Sequence, residues 1–255
     1  MSYDRALTVF SADGRLLQLE YALEAVKRGT LAVAVRGEKV VVLGIERKNV
    51  AKLQEERTVR KINALDDHCV MTFAGLTADA RVLVSKARLE CQQYRLNNEV
   101  PALIRHVAHH VASVQQQYTQ RGGRRPFGLQ CIVAGHDPNT GEPHVFVTDP
   151  AGSCTEWKAA CTGNKMDSVR EFLEKNYREG MDEDAAVMLA TRAVLETVET
   201  GSKNIQLCVL RQGQHHEILD DAKVEELCAA VEEEKQRKEQ QRREMLEQAS
   251  GVARS

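Results

Sequence analysis

Two nearly continuous apolar runs, residues 30–36 and 39–45, constrain this chain most. A strand with one wet face alternates apolar and polar side chains. These runs do not alternate, so both faces of each strand must be covered. Gly37-Glu38 between them predicts a tight hairpin. A hairpin covered on both faces needs a second layer on each side, either a sheet or a pair of helices.

The rest of the chain offers those layers. Further strands are predicted at 68–73, ended by Ala74-Gly75, and at 129–134 and 144–148 around the turn Asp137-Pro138-Asn139-Thr140-Gly141. A last hairpin, 205–210 and 216–219, turns at Gln212-Gly213. Helical periodicity runs through Ala80, Leu83, Val84, Ala87, Cys91 and Tyr94, with Thr77 as the expected N-cap. A second helix has Pro101 in its first turn and a stripe of Leu103, Val107, Val111, Val114 and Tyr118. Two more are predicted at 168–177 and 182–200. Strand groups alternating with helix pairs give an α+β sandwich of two sheets enclosed by helices. No composition shift between 30 and 220 marks a linker.

Both ends of the chain extend this core. Leu16, Leu19, Leu23 and Val26 form one helical face, with Ser11 or Asp13 as the expected cap and Gly29 at a left-handed C-terminal position. The arm before it, 2–10, has no neighbouring strand to pair with, and its Asp4 and Arg5 interrupt any secretory apolar core. At the other end, 221–231 reads as a helix through Val224, Leu227, Cys228 and Val231. Residues 232–248 are then almost all Glu, Lys, Arg and Gln, a solvated helix expected to fray into a tail. The division is therefore 1–29, 30–231 and 232–255. Lys235-Gln-Arg-Lys and Arg242-Arg243 are a weak signal for nuclear import.

Composition narrows the chemistry. A net charge of −2 and 4% aromatic residues give no reason to expect a nucleic acid partner. No apolar run approaches the ~20 residues of a membrane span. The seven cysteines are odd in number and contain no C-x-x-C pair, the pattern of reduced thiols in the cytoplasm or nucleus. His106, His109 and His110 have a spacing that can hold a metal, but no carboxylate accompanies them on their own helix face, so no metal is expected. No phosphate-cradling glycine motif occurs, and no cofactor is expected. The basic cluster Arg57-Thr-Val-Arg60-Lys61, read alone, is a solvated edge.

Tyr3, Thr8, Phe10, Ser11, Gly14, Arg15, Gln18, Glu20, Tyr21 and Ala22 stand as in the N-terminal signature of 20S proteasome alpha-type subunits, and the chain resembles that family. The stretches 50–67, 73–83, 118–128 and 168–177 extend the resemblance, within the family to the type-7 class, over about residues 2–231. Ala12 departs from the signature, which carries proline there. The resemblance implies a four-layer αββα fold, that of N-terminal-nucleophile hydrolases. It also implies a place in a heptameric alpha ring stacked on a proteolytic beta ring in the cytoplasm and nucleus. Tyr3, Asp4 and Tyr21, with Ala12 in place of proline, match the cluster that holds the axial gate arm open. Lys61, Gly29 and Leu76 match the pocket that takes the C-terminal carboxylate of proteasome activators, including the regulatory particle. Thr30 falls where catalytic beta-type relatives carry their N-terminal nucleophile, with Glu46 and Lys61 near the helper positions. That chemistry needs a free α-amine, whereas the Thr30 nitrogen is an amide to Gly29. The alternative function, a threonine hydrolase, would require cleavage at Gly29-Thr30.

Overall fold

The computed structural model describes residues 10–47, 53–55, 58–121, 123–197 and 204–252. The predicted hairpin is β1 (Ala32–Arg36) and β2 (Val40–Glu46), antiparallel with Val35 opposite Val42. It is covered on both faces as its pattern requires. Leu31, Val33, Val35, Val40 and Val42 face one core, and Ala32, Ala34, Val41, Leu43 and Ile45 face another.

The remaining strands are β3 (Asn63–Asp66), β4 (Cys69–Gly75), β5 (Leu129–His136), β6 (Pro143–Thr148), β7 (Cys154–Glu156), β8 (Ala159–Thr162), β9 (Ile205–Arg211) and β10 (Glu217–Ile218). They form two five-stranded antiparallel sheets, in the orders β10-β9-β2-β1-β8 and β3-β4-β5-β6-β7. The helices are α1 (Leu17–Lys27), α2 (Thr77–Asn98), α3 (Ile104–Gln120), α4 (Met166–Asn176), α5 (Glu183–Leu195) and α6 (Asp221–Val252). One core joins the first sheet to α4, α5 and the start of α6, a second joins the other sheet to α2 and α3, and a third fills the space between the sheets. The result is the expected αββα sandwich with a helix in front.

Several local expectations change. β3, β7 and β8 were not anticipated. They are three or four residues long, and each lies at the edge of its sheet. Thr77 is the first helical residue of α2, preceded by Leu76, which makes no side-chain cap. Pro101 lies outside α3, and Ile104 takes the buried place expected of Leu103. For α5, Asp182 does cap, accepting a hydrogen bond from the Ala185 nitrogen at 3.0 Å. The helix α6 buries Val224, Cys228 and Val231 and continues without a break through the charged stretch to Val252. Arg192–Glu234 and Glu196–Lys235 ion pairs tie this stretch to the end of α5, and its Glu, Lys, Arg and Gln are strong helix formers.

Candidate functional site

The N-terminal signature becomes a turn followed by a helix. Ser11 accepts a hydrogen bond from the Gly14 nitrogen at 2.9 Å, closing a turn with Ala12 in its second position. The Ser11 hydroxyl accepts from the Arg15 nitrogen at 3.1 Å, so Ser11 caps this turn and not the helix, which starts after Leu16 without a side-chain cap. Arg15 pairs with Glu20 and joins turn to helix. Of the expected stripe only Val26 is deeply buried, together with Ala22. Leu23, Tyr21 at 52% exposure and Phe10 at 62% remain outward. Of the residues expected at a gate, Ala12 and Tyr21 are thus on the outside of the molecule, while Tyr3 and Asp4 lie outside the described residues.

Gly29 is needed for a different reason from the one expected. Its φ is not positive, so it is no left-handed cap. A Cβ on Gly29 would stand 2.2 Å from the Gly75 nitrogen and 3.0 Å from its Cα. Gly75, at φ 121°, is the last residue of β4, and Leu76 follows it. The end of α1 therefore lies directly on the end of β4, bringing Gly29 beside the start of α2 and the half-exposed Leu76.

Thr30 continues from Gly29 into β1, and Lys61 reaches it from the segment before β3. The Lys61 Nζ donates to Thr30 Oγ1 at 2.6 Å, to the Thr30 carbonyl at 2.7 Å and to the Leu31 carbonyl at 2.7 Å. Glu46, at the end of β2, accepts from the Leu31 nitrogen at 3.0 Å. Burial pushes the Lys61 pKa down to about 7, against the opposing pull of the Glu46 carboxylate. Thr30, Glu46 and Lys61 are thus gathered at one point, the three residues that the resemblance set beside one another. The α-amine is absent: the Thr30 nitrogen is a peptide nitrogen between α1 and β1, and an amide cannot take the hydroxyl proton. Lys61 thus spends its amine on this junction, through three contacts to Thr30 and Leu31. No charge pattern in the sequence signals that inward turn; the carbonyls it meets are backbone.

Two polar clusters were missed because their partners are far apart in sequence. Asp79, in the first turn of α2, accepts from both terminal nitrogens of Arg125 at 2.7 and 2.8 Å and from the Gly128 nitrogen at 3.0 Å. Burial alone would raise the Asp79 pKa, but these donors hold it below the usual carboxylate value. The second cluster supplies the carboxylate that His106 and His110 lacked on their own helix. Glu90 of α2 meets His106 Nε2 at 2.7 Å and His110 Nδ1 at 3.2 Å. Among the described residues no group of three is arranged to hold a metal ion. No described helix is long and apolar enough to cross a membrane.

The sandwich of two antiparallel sheets between helix layers thus carries a Thr30–Glu46–Lys61 cluster behind an N-terminal helix. The family model for proteasome subunits matches residues 26–210, and the model for the N-terminal signature of A-type proteasome subunits matches residues 3–25. The chain therefore belongs to the proteasome subunit family, on its alpha-type side. It is 53% identical over 230 residues to the alpha type-7 proteasome subunit of Dictyostelium discoideum, covering 90% of this chain and 91% of that one. It is 51% identical over 230 residues to the alpha type-7 protein of Solanum lycopersicum, covering 90% and 88%. With the alpha type-8 protein of Mus musculus it shares 51% over 225 residues, covering 88% and 90%.

Proposed function

We propose that this chain is a non-catalytic member of a heptameric alpha ring in the 20S core particle, stacked on beta-ring subunits that cleave the substrate. In this reading residues 1–29 are the gate arm and its helix, 30–231 the sandwich domain and 232–255 a charged tail. The arm, with Tyr3, Asp4, Ala12 and Tyr21, takes part in the axial gate. Lys61, Gly29 and Leu76 line the pocket that receives the C-terminal carboxylate of an activator or the regulatory particle. The particle would act in the cytoplasm and nucleus, in ubiquitin-dependent and other protein degradation.

The observation that carries the non-catalytic reading is the peptide bond at Gly29-Thr30. It places a hydroxyl 2.6 Å from an amine yet denies that hydroxyl the α-amine a threonine hydrolase requires. The outward Phe10, Tyr21 and Leu23 in front of the sandwich suit contact with neighbouring subunits. Intact mass of the chain taken from particles of native size tests this. A mass near 28.5 kDa, with proteasome subunits co-purifying, is expected. Loss of residues 1–29 together with labelling of Thr30 by a threonine-directed inhibitor would overturn it in favour of the hydrolase.

A further inference from the structure

The basic cluster at 57–61 is only partly used by the Lys61 site, and Arg60 belongs to a different place. A cleft of about 170 Å³ opens between β3, β4 and the first half of α2, and Arg60, Arg81 and Arg88 all line it. Asn63 and Ser85 add polar atoms. Among the described residues lining it, none is a carboxylate. Arg88 is anchored by its Nε, which donates to the Ala64 carbonyl at 2.8 Å, and among the described residues its two terminal nitrogens meet no acceptor. The carboxylates of α2 nearest in sequence are already committed, Asp79 to Arg125 and Glu90 to His106 and His110. Arg15, Arg36, Arg47, Arg95, Arg192 and Arg211, by contrast, each have an acidic partner within the chain.

Three permanent positive charges converge on one cleft here, and an anion from outside the chain would relieve their mutual repulsion. The apolar side chains beside them say what kind of molecule carries that anion. Val59 precedes Arg60, Val82 follows Arg81, and Leu89 follows Arg88; all three are exposed, and Val82 and Leu89, seven residues apart, share one side of α2. Arginines beside exposed apolar side chains are the composition of a protein interface; a free phosphate would leave the apolar part wet.

We propose that this cleft receives an acidic segment of a neighbouring proteasome subunit, whose carboxylates meet Arg60, Arg81 and Arg88 while its apolar side chains cover Val82 and Leu89. The inference rests on the reading of the chain as a ring subunit.

The test is competition for incorporation. A chain carrying Arg60→Glu, Arg81→Glu and Arg88→Glu is co-expressed with tagged wild type, and both are quantified in particles of native size. Exclusion of the triple variant by about tenfold or more is expected from loss of three charge pairs and their replacement by repulsion, with the corresponding triple lysine variant close to wild type. Circular dichroism of the variant should match wild type, since the side chains are exposed. A second measurement does not depend on that variant folding: a benzophenone side chain at Ser85 in the assembled particle should crosslink to a segment of another subunit containing Asp or Glu. Equal incorporation of the triple Glu variant, or a Ser85 crosslink to a segment without acids, overturns this inference and leaves the ring reading standing. Wild-type chain that never enters the particle overturns both.

Discussion

At the scale of single residues, Gly29 has the least room for change. An added Cβ would meet backbone of Gly75, and backbone cannot swing aside as a flexible side chain can. Gly29→Ala should therefore destabilise the fold by about 1–3 kcal/mol, read as a lower urea midpoint at unchanged slope. An unshifted midpoint would mean that α1 lifts from β4 at no cost. Lys61 offers a test by pH. Its folded pKa of about 7 lies below its ordinary 10.5. Between those values the unfolded chain holds a proton that the folded chain lacks, so stability should rise with pH across that window. The burial penalty is largest below pH 7, and Lys61→Met should flatten the rise. Identical slopes for the two proteins from pH 7.5 to 9.5 would show that the three acceptors keep the amine charged. For activator docking, the lysine must exchange a contact with Thr30 for the tail carboxylate. A charge-assisted hydrogen bond is worth about 1.5–3 kcal/mol, so Lys61→Glu should lower crosslinking of a tail peptide to this subunit by tenfold or more. Undiminished crosslinking would return Lys61 to a structural role. The cluster of Thr30, Glu46 and Lys61 was legible in the sequence through family resemblance. The inward turn of Lys61 was not, because backbone carbonyls leave no mark on composition.

At the scale of elements, hydrophobic pattern located those with a long buried face. β1 and β2 are filled on both sides, and α3 buries Val107, Val111 and Val114 at helical spacing. What escaped were elements whose identity depends on a neighbour. The edge strand β8 exists through its pairing with β1, and Arg125 at the foot of α2 makes sense only once Asp79 is 2.7 Å away. That pair fixes where α2 begins, because Asp79 also holds the Gly128 nitrogen just before β5. Removing the carboxylate leaves a backbone donor and a guanidinium without their acceptor. Asp79→Ala should then destabilise by about 1–3 kcal/mol, a figure kept low because Arg125 is largely exposed. The sign with pH is the reverse of that for Lys61. The Asp79 contribution is complete above the ordinary carboxylate pKa and is lost as pH falls through its lowered folded value. Wild type and variant should consequently converge in stability towards pH 2, and a constant gap would show that packing, not charge, is at stake. Ala12 occupies the second position of the Ser11–Gly14 turn, where proline's fixed φ is favoured. Ala12→Pro should stabilise that turn by about 0.4–1 kcal/mol and slightly raise basal peptide hydrolysis of the assembled particle. No change in hydrolysis, or a fall, would mean that the backbone at Ala12 is not limiting.

At the scale of the whole molecule, the sandwich keeps its thiols out of chemistry. The sequence allowed free cysteines by their odd number and scattered spacing, but only the layers explain how they stay unreactive. Cys131 and Cys69 belong to the core between the second sheet and α2 and α3, Cys208 lies between the sheets, and Cys161 and Cys228 pack on the opposite helix layer. All seven are unpaired, and all but Cys154 are buried. Burial pushes the thiols of Cys91, Cys131 and Cys208 up to about 12, and that of Cys161 to about 11. Since the thiolate is the reacting species, such groups are protected twice, by access and by protonation. Native chain at pH 8 should therefore add about one iodoacetamide, at the half-buried Cys154, and more slowly than a free cysteine, because that thiol is also raised, to about 11. The other six should react only when the layers separate. Their labelling rate with increasing urea then reports which layer opens first, and mass spectrometry assigns the site. Cys154 lies on β7 and Cys161 on β8, edge strands of the two sheets, whereas Cys69 and Cys208 lie on strands paired on both sides. Labelling should consequently appear at Cys161 before Cys69 and Cys208. Simultaneous labelling of all six would show that the two sheets and their helices unfold as a single cooperative unit, with no weaker edge.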